Sequence, residues 1–227
     1  MNRQMAFSQA WWQQRGLTAM LILLALMIFV ALPLETLGVV SPWVVAVVTT
    51  LLLVSGVFAL SSHRSTRVAM AVVAMAALAA RWITLFRPSR AMAVWDLSLA
   101  MLAIGVFTAF VLGQVFRAGT ITPNRIYGSI LGYLLLGVFW CFAYQLIHNL
   151  VPDTFHFPAP SAPVPGRLNH QLVYFSYITL TTVGYGDITP VGVIARTLAT
   201  AEGLVGQLYP AILIARLVSL RGPTLGS

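Results

Sequence analysis

Apolar runs about as long as a bilayer is thick follow one another along this 227-residue chain, with little charge between them. They cover residues 17–34, 43–60, 68–86, 91–116, 126–150 and 191–220. A helix of about 20 apolar residues crosses the hydrocarbon core of a membrane, so the pattern predicts six transmembrane helices. Composition agrees. Only 8% of the residues are charged and 59% are hydrophobic, where a soluble domain carries about 25% and about 45–50%. No soluble surface can be built from so few charges, and the expected class is an all-α integral membrane protein.

All 13 basic residues are arginine, against the acids Glu35, Asp96, Asp153, Asp187 and Glu202. A nucleic-acid-binding domain gathers its positive charge on one face. Here the arginines stand singly or in pairs at the ends of apolar runs, where membrane topology places them, so no nucleic acid is expected as a partner. With both termini cytoplasmic, Arg3, Arg15, Arg64, Arg67, Arg117, Arg125, Arg216 and Arg221 fall inside, and Arg87, Arg90 and Arg167 outside. The excess obeys the positive-inside rule. Trp11 and Trp12 suit an interfacial belt before the first run, which reads as a retained helix rather than a cleaved signal. The lone cysteine, Cys141, lies inside an apolar run and reads as a buried small side chain. Abundant Ala and Arg with no Lys point to a bacterial plasma membrane.

Residues 151–168 differ from the rest. Pro152, Pro158, Pro160, Pro163 and Pro165 rule out a helix and predict an extended, water-exposed loop. Residues 170–182 follow, apolar and aromatic but too short to cross a bilayer, which suits a re-entrant half-helix.

That half-helix runs into Thr181-Thr182-Val183-Gly184-Tyr185-Gly186-Asp187. Bare backbone at membrane depth is tolerated only where protein or water covers it, or where it binds something. Gly184 and Gly186 reach backbone angles that other residues adopt only at a cost. Alternating ordinary and glycine residues can therefore turn successive carbonyls to one side. Four such strands about an axis make rings of oxygens that replace the water shell of a cation.

The segment Thr182 to Gly186 matches the potassium-channel filter sequence TVGYG, and the chain resembles the tetrameric potassium channels with six helices per subunit. The resemblance is strongest over residues 168–220, where the half-helix VYFSYITLT, the filter, the ITP after it and a last helix follow in the family's order. It implies a homotetramer in a lipid bilayer, K⁺ ions in the filter, and no enzymatic activity or cofactor. Two domains are expected: a four-helix domain over 1–117, and a pore domain over 118–227. The pore domain would hold an outer helix (126–150), an extracellular loop (151–168), a pore helix (170–182), the filter (182–186) and an inner helix (191–220).

The resemblance also implies roles. The carbonyls of Thr182, Val183, Gly184 and Tyr185 and the Thr182 hydroxyl would coordinate K⁺, with Gly186 closing the segment. Thr181, Asp187 and the Tyr185 hydroxyl would support the filter and its outer mouth. On the last helix, Gly203, Gly206 and Pro210 stand as hinge and kink, although both glycines also suit close helix packing. Ile214 and Leu217 would form an apolar inner gate. Glu202, an acid deep in an apolar run, either braces the half-helix or faces a wet cavity as a cation site. Arg196 either pairs with an acid or reaches outward.

In such channels the fourth helix often carries a basic residue at every third position. The run 91–116 has none, while Arg81, Arg87 and Arg90 precede it with Pro88 between them. Weak or absent voltage dependence is expected, with Arg81 paired and Asp96 its candidate partner, and a voltage-gated channel using these three arginines is the alternative. His148, His156 and His170 read as surface residues. No HExxH, GxSxG or His–acid cluster supports an enzyme. A carrier or a non-conducting scaffold is the alternative from another class, and a separate regulatory chain stays open.

Overall fold

The computed structural model describes residues 16–60, 64–117, 122–151, 153–158 and 170–219. Trp11, Trp12, His63, Arg3, Arg15, Arg167, Arg221 and most of the proline-rich loop lie outside them, as does the Leu217 side chain. Seven helices occur among the described residues: α1 (Gly16–Thr36), α2 (Pro42–Leu60), α3 (Arg64–Phe86), α4 (Arg90–Val115), α5 (Pro123–Leu150), α6 (His170–Leu180) and α7 (Val193–Ser219). Two-residue strands β1 (Phe155–His156) and β2 (Thr189–Pro190) pair antiparallel.

The chain is an all-α membrane protein. Among the described residues α1, α3, α4, α5 and α7 are long and apolar enough to cross a bilayer, and Pro42–Val57 of α2 is a shorter apolar stretch.

Local chemistry sets the helix ends. Pro88 follows α3 and stops it, and Ser89 caps α4 by accepting a hydrogen bond from the Met92 amide at 3.2 Å. Pro123 occupies the first turn of α5, where its missing N–H costs nothing, so α5 begins three residues before the predicted 126. In α1, Pro33 cannot donate to the carbonyl of Phe29, and the helix widens into a π turn over Met27–Ala31. Hydroxyls inside the apolar helices turn back onto their own backbone: Thr50, Ser98 and Thr108 each donate to the carbonyl four residues earlier at 2.7 Å.

Helices α3 and α4 pack side by side, and α4 lies along α5. One apolar core runs without a break from Leu17 and Met20 through Phe107 and Leu131 to Leu172 and Ala195. The four-helix part and the 123–219 part are thus joined by burial. Arg81 on α3 and Asp96 on α4 form a buried ion pair at 2.9 Å, the partnership the sequence pointed to. Arg90, first residue of α4, donates to the Asn149 carbonyl at 3.1 and 2.6 Å and ties α4 to the end of α5.

Candidate functional site

Helix α6 ends at Leu180 rather than at 182, because Thr182 leaves helical geometry with φ of 61°. The Thr182 amide bonds the Thr179 carbonyl at 2.9 Å and the Val183 amide bonds the Ile178 carbonyl at 2.9 Å. This pair of bonds is a Schellman ending, in which the left-handed position is normally glycine. A β-branched residue there is strained, at a cost of about 1–3 kcal/mol, and such strain gathers at functional sites.

The strain is the first step of an alternation. Thr182, Gly184 and Gly186 have φ of 61°, 53° and 80°, whereas Val183 and Tyr185 between them do not have positive φ. Among the described residues no backbone amide bonds the carbonyls of Thr182, Val183, Gly184 or Tyr185. Residues 181–187 are all exposed, between buried Leu180 and buried Ile188. The segment thus presents four successive carbonyls, from Thr182 to Tyr185, without a backbone partner beside an apolar core.

Everything around it is anchored. Tyr133 of α5 donates to the Leu180 carbonyl at 3.1 Å, and Tyr177 of α6 donates back to the Leu134 carbonyl at 2.7 Å. On the far side β2 pairs with β1, and the Val191 amide bonds Thr154 at 2.9 Å. This pairing delays the last helix from the predicted 191 to Val193. Arg196 donates to the Pro190 carbonyl at 3.0 Å, which resolves its role as an anchor of the same turn. Tyr185 stacks on Tyr174 of α6 with centroids 6.5 Å apart, and the Asp187 carboxylate interacts with the Tyr174 hydroxyl. Thr181 bonds back to the Tyr177 carbonyl at 2.7 Å.

Glu202 of α7 is fully buried behind this segment. Its Oε2 accepts from Tyr144 of α5 at 2.5 Å, and its Oε1 lies 2.5 Å from the Ser176 hydroxyl of α6. Ser176 also reaches the Gly137 carbonyl at 2.7 Å and shares its one proton between the two. One carboxyl group thereby joins three helices. Gly206, one turn on, meets the Leu180 carbonyl so closely that a Cβ would sit 1.8 Å from the oxygen. Gly203 has nothing within 4 Å. Gly206→Ala must therefore push α7 off α6, a cost of about 1–3 kcal/mol per chain, whereas Gly203→Ala should not. Thermal unfolding of the two variants in detergent checks the contrast.

Pro210 lies inside α7 and cannot donate to the Gly206 carbonyl. Ile214 is exposed on the same helix. His148 lies in ring contact with Phe155 and Phe157, His156 is exposed in β1, and His170 is exposed at the start of α6, where partial desolvation lowers it below the usual imidazole range. The described residues hold no cluster of three metal-ligating side chains.

Sequence reasoning missed Tyr133, Tyr144, Ser176 and Tyr209, whose hydroxyl donates to the Ser129 carbonyl at 2.8 Å. The signal was present. A phenol inside an apolar helix needs a hydrogen-bond partner, and Tyr133 and Tyr144 stand three turns apart on one face of α5.

The family model described as an ion channel matches residues 170–220, the stretch from α6 through the exposed segment to α7. Over 124 residues the chain is 34% identical to Protein LctB of Geobacillus stearothermophilus, covering 51% of this chain and 92% of that protein. The chain belongs to the LctB family. Protein LctB of Bacillus caldotenax is 32% identical over 124 residues, with the same shares. No solved structure matches this LctB-family chain. The ion-channel match and the apolar helices support a membrane protein of the ion-channel class and point to a non-enzymatic channel.

Proposed function

We propose that four copies of this chain assemble about a common axis as a K⁺-selective channel that conducts passively, with weak or no voltage dependence. The observation that carries the reading is the alternation of backbone handedness at Thr182, Gly184 and Gly186 with unbonded carbonyls between them. Alternating handedness turns successive carbonyls the same way, and a ring of four such strands offers oxygens in place of hydration water. One chain supplies one strand, so closure needs four.

In this reading the filter from Thr182 to Gly186 coordinates K⁺, the ions being held at Thr182, Val183, Gly184 and Tyr185, and Asp187 stands at the outer mouth. The carboxyl-terminal end of α6 aims its partial negative charge at the cavity below. Exposed Val193, Leu204, Leu208 and Ile212 on α7 supply apolar surface for neighbouring copies and lipid. Glu202, locked to Tyr144 and Ser176, acts as the brace rather than as a cation site. Gly203, with open space around it, and the gap in bonding between Gly206 and Pro210 give α7 its bending points, with Ile214 and Leu217 narrowing the pore below. The first four helices form a scaffold over residues 1–117 and the pore domain covers 118–227. With α2 also crossing, six spans leave both termini in the cytoplasm of a bacterial plasma membrane.

The arginines support a shallow response to voltage. Moving one charge across the whole field yields about 2.3 kcal/mol per 100 mV, while breaking a buried pair such as Arg81–Asp96 costs about 3–5 kcal/mol. Arg90 is tied to Asn149, and Arg87 lies in the link between α3 and α4. Purified protein in a planar bilayer, with K⁺ on one side and Na⁺ on the other, should show a reversal potential near the K⁺ equilibrium value. Its conductance should vary little with voltage, and neutralising Arg87 and Arg90 should leave that relation unchanged. Equal Na⁺ and K⁺ permeability overturns the reading.

A further inference from the structure

We propose that Gln207 is a positioning residue for the innermost cation site, its carboxamide fixing the Thr182 hydroxyl at the ceiling of the inner cavity. The inference rests on the K⁺-channel reading. Gln207 Nε2 lies 3.3 Å from Thr182 Oγ1, a contact between α7 and the start of the exposed segment, 25 residues apart in sequence.

Gln207 is an amide flanked by apolar Leu204, Val205, Leu208 and Ala211 on α7, and it is exposed. The opposite side of α7 is already occupied: Ala195, Glu202 and Tyr209 are buried against the rest of the chain. An amide turned toward lipid tails would lose its hydrogen bonds at a cost of several kcal/mol. A position facing a water-filled cavity removes that cost. Helical spacing puts Gly203, Gln207 and Ile214 on one stripe, so Gln207 heads the same face as the residues assigned to hinge and gate.

The Thr182 hydroxyl has one proton and two lone pairs, and it rotates to suit its neighbours. An N–H donated by Gln207 occupies one lone pair and holds the oxygen in one orientation, leaving the other lone pair for a cation. Four copies make a ring of four hydroxyls backed by four amides, at the point where an ion leaving the cavity begins to lose its water. The carbonyl rings above do not touch Gln207. Its removal therefore changes how tightly the innermost site holds an ion, and leaves the discrimination between K⁺ and Na⁺ intact.

Ba²⁺, close to K⁺ in size with twice the charge, is the probe. Applied from the side of the chain termini to channels in a planar bilayer, it is expected to block Q207L about tenfold more weakly than the unaltered protein, the change a single lost hydrogen bond brings. Q207E adds four negative charges beside the same site and should tighten the block by a similar factor, more so at low salt. Both variants should keep the unaltered reversal potential between K⁺ and Na⁺. Ba²⁺ block within twofold of the unaltered protein in both variants overturns the inference, as does loss of K⁺ preference in Q207L. A channel whose unaltered form shows no K⁺ preference brings down the functional reading itself, and the inference with it.

Discussion

Gly184→Ala should abolish the preference for K⁺ over Na⁺ while leaving the protein folded and in the membrane. Gly184 sits at φ of 53° with nothing within 4 Å of the place a Cβ would take, so the penalty is one of backbone conformation and not of space. Left-handed backbone costs a residue with a side chain about 1–2 kcal/mol, and four copies in one ring bring that to about 4–8 kcal/mol. A segment this exposed relieves the strain by turning the peptide, which takes a carbonyl out of the ring. Gly186→Ala, at φ of 80° and equally open, should behave alike. Gly113 provides the control. It too has open space around its Cβ position, but it is helical, and alanine there should be neutral or stabilise by up to about 1 kcal/mol. Reversal potentials with K⁺ and Na⁺ on opposite sides distinguish the cases, and unchanged selectivity in Gly184→Ala would contradict the filter assignment.

Glu202→Leu should cost the assembled protein much of its stability, and Glu202→Gln little. The carboxyl is fully buried and accepts from Tyr144 while contacting Ser176. Leucine fills the space and leaves the Tyr144 hydroxyl without a partner, at about 1–3 kcal/mol per chain, or about 4–12 kcal/mol over four. Ser176 keeps the Gly137 carbonyl in either case. Glutamine keeps an oxygen for Tyr144 and offers an N–H to Ser176. The decisive variant is Tyr144→Phe combined with Glu202→Leu, which removes donor and acceptor together and should recover most of the loss. Thermal unfolding in detergent and the elution volume of the assembly read the effect. A double variant no more stable than Glu202→Leu alone would show that the network does not carry the packing of α7 on α5 and α6.

The helices were legible because their cause is local. A run such as 91–116 needs no partner to become helical in a bilayer, since the only way to satisfy its backbone there is within itself. The exposed segment was legible for a related reason. Glycines at 184 and 186 announce positive φ through their own chemistry, and both have it. Thr182 does not announce it. Its left-handed φ follows from the way α6 ends, and threonine is a poor residue for that position. The end of α6 at Leu180 and the start of α7 at Val193 were missed by two residues each. Those boundaries depend on a Schellman turn and on a strand pair between Phe155–His156 and Thr189–Pro190, segments more than 30 residues apart. The second run was expected to span like the others. Its apolar stretch Pro42–Val57 is the shorter one.

Sequence by itself determined the class of the molecule, a bundle of apolar helices with one short glycine-bearing break, because too few charges exist to cover a soluble surface and lipid permits only self-satisfied backbone. What the tertiary structure decided was which buried polar groups meet. Glu202 could have faced water, Asp96 was a candidate partner for Arg81 without a geometry, and both Gly203 and Gly206 suited hinge or packing. Only packing put Glu202 against Tyr144 and Ser176, Arg81 against Asp96, and Gly206, but not Gly203, against the Leu180 carbonyl. The reason is that a lone polar group in an apolar helix fixes its need for a partner, while the partner's identity depends on how neighbouring helices are rotated and set in depth, and those are properties of the packed whole.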